Sequence, residues 1–244
     1  MQAIVMAGGL GTRLRPYTNV IPKPLLPLDG IPVLEIILTQ LRDQGFEKVT
    51  LALYYKANQI RNHFGDGRWL GIDLEYSVAD RLLGTAGPLS LIPRPEEPVL
   101  VTNADLLTNI DFADVMAFHR AQDVIATMVL CRLPIPIPFG VVQQASGRIV
   151  SYEEKPDHEV LINAGIYAID PSGWSRLTPG AYLDMSTLIE RGMAKGYPIA
   201  TYLHVGDWLD IGTIDQYHRA EQVFREHRDR YLNMPDHDLQ ATHA

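Results

Sequence analysis

The sequence predicts an α/β fold in which a mostly parallel sheet carries helices on both faces. Three observations predict it. Short apolar runs alternate with stretches of helical periodicity through the first half of the chain, the rhythm of β-α-β units. The first run ends in a glycine-rich loop, Gly8-Gly9-Leu10-Gly11, and a later one ends in Asn103-Ala104-Asp105. Both turns then fall at strand carboxyl ends, where ligands gather on such sheets. Hydrophobic residues make up 46% of the 244, enough to bury a full core.

Each element follows from its local pattern. Gln2 to Met6 is an apolar strand. After Pro32, the residues Val33, Leu34, Ile36, Ile37, Leu38 and Leu41 recur at helical spacing, and Gly45 is the stop signal. Lys48 to Leu53 reads as a strand, Ala57 to Phe64 as a helix, Gly65-Asp66-Gly67 as a turn, and Ile72 to Val78 as the next strand. Pro98 to Thr102 is a strand, Phe112 to Ala121 a helix, and Val124 to Leu130 a strand. Beyond that point the proline-rich stretch Pro134 to Pro138 introduces Phe139 to Gln143, Arg148 to Glu153 and Ile162 to Ile169, which read as sheet additions able to wall a pocket. Asp215 to Arg230 is a closing helix. A single domain is expected over residues 1–232, divided near residue 130, with a flexible polar tail at 233–244.

Charge narrows the partners. Lys and Arg total 21 against 29 for Asp and Glu, a net charge of −8, which argues against nucleic acid and anionic membrane surfaces. Residues 1–28 are a local exception, holding Arg13, Arg15 and Lys23 with no acidic residue. The lone Cys131 excludes an internal disulfide and fits a reducing compartment. With neither a basic, apolar leader nor a long apolar run, a cytoplasmic location is expected. Oligomeric state is left open, a homo-oligomer included.

Gly8, Gly9 and Gly11 let backbone approach a ligand and aim N–H groups at phosphate oxygens. The spacing fits neither G-x-G-x-x-G nor G-x-x-x-x-G-K-[ST], so a dinucleotide site and a Walker loop are disfavoured. The loop continues as Thr12-Arg13-Leu14-Arg15-Pro16, then Pro22-Lys23-Pro24-Leu25-Leu26-Pro27 and Gly30-Ile31-Pro32-Val33-Leu34-Glu35. Pro22, Pro24, Pro27 and Pro32 stiffen this segment, so Lys23 projects from a fixed backbone. The eight histidines form no paired-ligand pattern, and no serine or cysteine stands in a nucleophile motif.

Taken together, G-G-x-G-T-R-L-x-P, P-K-P-L-L-P and G-x-P-x-L-E resemble the sugar-1-phosphate nucleotidyltransferases, over residues 2 to about 220, and most closely the bacterial members similar to mannose- and hexose-1-phosphate guanylyltransferases. The resemblance implies a Rossmann-like, GT-A-like fold with an added sugar-binding β-region, residues 1–130 serving the nucleotide and 131–232 the sugar. It implies a nucleoside triphosphate and a sugar 1-phosphate as substrates and Mg²⁺ as cofactor. Arg13 and Lys23 would be the catalytic cations, meeting the charge of the transition state. Asp105 and Asp210 would hold the metal, a hard cation suited to one or two carboxylates plus phosphate oxygens. Nucleotide contacts are expected from Met6, Ala7, Gly8, Gly9, Gly11, Thr12, Asp80, Gly84, Thr85 and Asn103. Sugar contacts are expected from Gly140, Glu154, Lys155 and Asn163.

Two departures bear on substrate. Ala104 stands where the family usually has glycine, and Ala79 stands five residues before Gly84, where many relatives place Gln or Glu to read the base. Asp80 could accept from guanine or cytosine donors but cannot donate to a carbonyl when ionised. The segment Leu83-Gly84-Thr85-Ala86-Gly87 resembles the one that meets the base in the guanylyltransferase branch, and on that resemblance guanylyl transfer to a hexose or heptose 1-phosphate leads, with uridylyl, thymidylyl or cytidylyl transfer behind it. The rival of another class is a non-catalytic subunit that senses sugar nucleotides. Such relatives tend to lose the loop arginine, the lysine or the metal aspartates, all of which are present here.

Overall fold

The computed structural model describes residues 1–232, and the tail expected at 233–244 lies outside the described residues. Strand β1 (Gln2–Met6) turns Ala3 and Val5 to one side and Ile4 to the other, all of them buried. A strand covered on both faces reads as a continuous apolar run, which is why its bounds were legible. The chain then makes short turns: a 3-10 turn at Thr12–Leu14, α1 (Tyr17–Val20), and a second 3-10 turn at Lys23–Leu25. A small ribbon of β2 (Pro27–Leu28) and β3 (Ile31–Pro32) closes through Asp29 and Gly30, both at positive φ, the geometry for which Asp-Gly is favoured.

Helix α2 (Val33–Asp43) buries Leu34, Ile37, Leu38 and Leu41, the stripe its spacing announced. It is followed by β4 (Lys48–Leu53), α3 (Ala57–Phe64), β5 (Asp73–Val78), β6 (Val99–Asn103) and β7 (Leu106–Thr108). Helix α4 (Phe112–Arg120) is capped by Asp111, whose side chain accepts the Asp114 N–H at 2.8 Å. Then come β8 (Ala126–Pro136), β9 (Val141–Ala145), β10 (Arg148–Glu153), β11 (Asp157–Ile169), α5 (Pro171–Trp174), α6 (Met185–Ala194), β12 (Ile199–His204), β13 (Trp208–Asp210) and α7 (Ile214–Glu226).

Seven strands form one sheet in the order β12-β8-β11-β6-β1-β4-β5. Only β11 runs against the rest: it is antiparallel to both β6 and β8, while every other pairing in the sheet is parallel. Helices cover both faces. Side chains of α2, α3, α4 and α7 pack on Ala3, Val5, Val49 and Leu51, whereas Trp174 of α5 and Met185 of α6 pack with Ile4, Val99 and Val101 on the other side. The expected mostly parallel α/β sheet is therefore the observed one.

Two readings need correction. The proline-rich stretch is not only a connector, because β8 continues through Pro134 and Pro136, which pair with Glu159 and Asp157 of β11. Proline is tolerated there because β12 accompanies β8 only as far as Cys131, so beyond it one edge of β8 has no neighbour awaiting an N–H. The closing helix also ends early, at Glu226, with Arg228–Arg230 forming a separate 3-10 turn.

Candidate active site

Two recesses adjoin at the carboxyl ends of β1, β4 and β6. The smaller, about 150 Å³, is lined by Gly8 and Gly9, by Tyr54 just past β4, and by Ala79 to Thr85 without Asp80. The larger, about 360 Å³, is lined by Arg13, Asn163, Gly165, Tyr167, Trp208 and Asp210. Met6, Thr85, Asn103 and Asp105 line both.

The glycine loop is suited to an anion. Ala7 is buried, and its N–H closes onto the Ala52 carbonyl at 2.9 Å, tying the end of β1 to β4. Past that tie, the N–H groups of Gly8, Gly9, Leu10 and Gly11 find no protein acceptor among the described residues, which leaves a run of donors for phosphate oxygens. Gly11 has φ +62°, and a Cβ there would lie 2.7 Å from Thr18 Cγ2. The Thr18 hydroxyl donates to the Gly11 carbonyl at 2.8 Å, fixing the turn from which Thr12 and Arg13 leave.

Beyond the loop, four charged side chains gather. Lys23, held between Pro22 and Pro24, forms an ion pair with Asp105. The ladder between β13 and β7 sets Asp210 opposite Leu106, and the Ile211 N–H donates to the Asp105 carbonyl at 2.9 Å, so the two aspartates are neighbours. Burial pushes the Asp210 carboxyl above the ordinary range, and the negative charge of Asp105 adds to this; Lys23 and Arg13 partly offset it. Arg13 arrives beside Gly212, where a Cβ would stand 2.6 Å from Asp210 Oδ2 and 3.1 Å from an Arg13 terminal nitrogen.

The segment Leu83 to Gly87 is laced to residues 181–185. Leu183 N–H donates to the Leu83 carbonyl, and the Ala86 and Gly87 N–H groups both donate to the Leu183 carbonyl, each at 2.9 Å. Asp184 Oδ1 accepts the Thr85 N–H at 3.2 Å, and Met185 N–H returns a bond to Thr85 Oγ1 at 2.8 Å. On the other wall, the register of β11 shifts between Asn163 and Tyr167, a bulge that aims Asn163 at the larger recess. Its amide donates to the Tyr167 hydroxyl at 2.5 Å, and its Oδ1 accepts the Gly165 N–H at 3.0 Å.

Not every residue singled out from the sequence is placed at these recesses. Asp80 is exposed and lines neither, while its neighbours Ala79 and Arg81 line the smaller one. Gly140, Glu154 and Lys155 lie beside the exposed β9–β10 hairpin and line neither recess: Gly140 sits under the Tyr152 hydroxyl, which itself donates to Glu154, and Lys155 occupies positive φ. Ala7, Gly11 and Thr12 shape the loop without lining either space. Sequence reasoning missed Arg81, Tyr54, Ser186 and Gly212. Only Gly212 carried a signal, standing two residues after Asp210 in a segment already singled out.

Among the described residues, no helix is long and apolar enough to cross a membrane. Comparison with known proteins gives a match between residues 2–227 and the model of a family described as nucleotidyl transferase. A UTP--glucose-1-phosphate uridylyltransferase of Synechocystis is 31% identical over 241 residues, covering 90% of this chain and 62% of that protein. A mannose-1-phosphate guanylyltransferase of Mycobacterium tuberculosis is 33% identical over 232 residues, covering 90% and 63%. The chain thus spans about three fifths of the length of the curated relatives it matches. Among solved structures, a putative glucose-1-phosphate thymidylyltransferase from Bacillus anthracis has the same fold, with a TM-score of 0.76 at 24% identity over 93% of this chain and 96% of that one.

Proposed function

The chain belongs to the nucleotidyl transferase family, and from that premise we propose that it joins a nucleoside triphosphate to a sugar 1-phosphate, releasing pyrophosphate. The observation that carries the reading is the meeting of Arg13, Lys23, Asp105 and Asp210 where a donor-lined glycine loop borders the smaller of two adjoining recesses. Two substrates must touch for such a reaction, and Asp105 borders both spaces.

A phosphate oxygen of the sugar 1-phosphate attacks the α-phosphorus in line. The new O–P bond forms as the bond to the β-phosphate oxygen breaks, and pyrophosphate leaves with the electron pair. The attacking oxygen is already ionised, so no general base is needed. Arg13 and Lys23 offset the negative charge that accumulates, and the loop N–H groups orient the triphosphate.

Asp105 and Asp210 fit a divalent cation. They are adjacent carboxylates whose mutual repulsion helps raise the Asp210 carboxyl, and a cation relieves that repulsion. Among the described residues no cluster of three or more His, Cys, Asp or Glu surrounds them. Two carboxylates completed by phosphate oxygens and water is the habit of Mg²⁺. Bound there, the ion supplies charge neutralisation at the transferring phosphate.

GTP and a hexose or heptose 1-phosphate are the leading pair. The 33% identity to a mannose-1-phosphate guanylyltransferase supports that order, and the 31% identity to a uridylyltransferase keeps UTP second. The test is pyrophosphate release from four nucleoside triphosphates crossed with several sugar 1-phosphates. Lys23→Ala and Asp105→Ala should each lower turnover by about two to three orders of magnitude, the scale of losing an oriented charge partner in the transition state. Near-normal turnover in a variant removes the role given to that residue.

A further inference from the structure

We infer that Arg81 is the side chain that selects the base, and that it selects guanine through O6 and N7; this rests on the nucleotidyl-transfer reading and deepens it. The smaller recess opens beside Gly8 and Gly9, where the triphosphate is anchored, and its walls include Leu53, Leu82, Leu83 and Pro88, apolar surfaces suited to the flat faces of a base. The larger recess holds the directional polar groups, Arg13, Asn163 and Asp210, and suits a sugar phosphate.

Of the side chains lining the smaller recess, only Arg81 and Asp105 are charged, and Asp105 is paired with Lys23. Arg81 is anchored on one side, where one terminal nitrogen donates to the Gly180 carbonyl at 2.8 Å. Its other terminal nitrogen and its Nε donate to no protein acceptor among the described residues, and the anchored nitrogen keeps a second N–H that forms a fork with one of them. Ala79, also on the lining, is too short to reach the edge of a base, so nothing at that position competes with Arg81. Asp80 lies outside.

A guanidinium offers only donors. Guanine presents two adjacent acceptors, O6 and N7, that match its two-pronged geometry. Adenine sets its amino donor between N7 and N1 and opposes such a fork, uracil and thymine set an N–H between O4 and O2, and cytosine, whose N3 and O2 are also adjacent acceptors, is the base that the experiment must separate from guanine.

The experiment compares kcat and KM of wild type and Arg81→Met for GTP, ITP, 7-deaza-GTP, CTP, UTP and ATP, with a sugar 1-phosphate that supports pyrophosphate release. Arg81 is exposed, so the variant should fold. Wild type is expected to prefer GTP, to accept ITP nearly as well because the 2-amino group is not read, and to lose about tenfold or more with 7-deaza-GTP, as expected for a bidentate contact. In Arg81→Met the KM for GTP should rise about tenfold, the loss falling on KM more than on kcat, and the gap between GTP and 7-deaza-GTP should close. A variant that keeps the wild-type KM and the wild-type gap overturns the inference, as does a wild type that prefers CTP, UTP or ATP. In those cases pyrophosphate release still upholds nucleotidyl transfer. Release from no triphosphate at all overturns the transfer reading itself.

Discussion

Gly212 is a glycine because two charges meet where its side chain would be. A methyl group there would come within 2.6 Å of Asp210 Oδ2, 3.0 Å of Gln216 Oε1 and 3.1 Å of an Arg13 nitrogen. Gln216 is exposed and can swing away, but Asp210 and Arg13 can give way only by leaving the positions proposed for holding the metal and for offsetting the charge of the transition state. Shifts of about 1 Å at reacting groups cost up to about a hundredfold in rate. Gly212→Ala should therefore lower turnover by about ten- to a hundredfold while the thermal midpoint stays within a few degrees of wild type, since no buried apolar contact is lost. Turnover within twofold of wild type would mean that Asp210 and Arg13 act from elsewhere.

At the scale of elements, the working parts are segments held by their neighbours rather than regular structure. The strap over residues 83–87 is an example, since Asp184 both receives the Thr85 N–H and is itself held by the Tyr182 hydroxyl at 3.0 Å. Thr85 borders both recesses, so loosening it should weaken substrate binding before it unfolds anything. Asp184→Ala is expected to raise the KM for the nucleoside triphosphate by about fivefold to tenfold, the loss of one hydrogen bond to a charged acceptor, with Tyr182→Phe showing a smaller effect. An unchanged KM with a lowered melting midpoint would reduce the strap to a structural tie. Regular elements were largely legible: β4 and α3 match their patterns to the residue, because buried apolar side chains at period 2 or 3.6 are the signal itself. Helix α6 and strand β12 went unread because little of either is buried: α6 buries only Met185 and Gly192, and no residue of β12, at the edge of the sheet, is fully buried. Arg81 was illegible for another reason. Nothing in sequence distinguishes it from a solvated arginine until the turn after β5 sets it against Gly8, Gly9 and Tyr54.

The whole molecule joins two cores through one sheet, and on the face of the first core a buried histidine, His119, holds a helix to that sheet. It is buried on α4, and its Nδ1 lies 2.9 Å from the Thr127 hydroxyl of β8, so it ties a helix to the sheet. Burial lowers its pKa below the usual histidine range; Asp170 pulls upward, and Arg120 pushes further down. The sign follows from linkage. Above the unfolded pKa, near 6.5, both states are neutral and the full contribution of His119 to stability is present. As pH falls through that value the unfolded chain takes up the proton first, and stability is lost until the folded pKa is passed. A net charge of −8 works in the opposite sense, because proton uptake on acidification reduces the net negative charge and relieves self-repulsion. A bare pH profile of the wild type therefore mixes two effects, whereas a comparison with His119→Gln, which keeps a hydrogen-bonding group toward Thr127 and cannot titrate, isolates one. Urea midpoints measured at about pH 7.5 and about pH 5 should show wild type losing stability relative to His119→Gln on acidification. A difference between the two proteins that does not move with pH would mean that His119 enters the unfolded and folded states with the same proton affinity, and that its burial between α4 and β8 carries no electrostatic penalty.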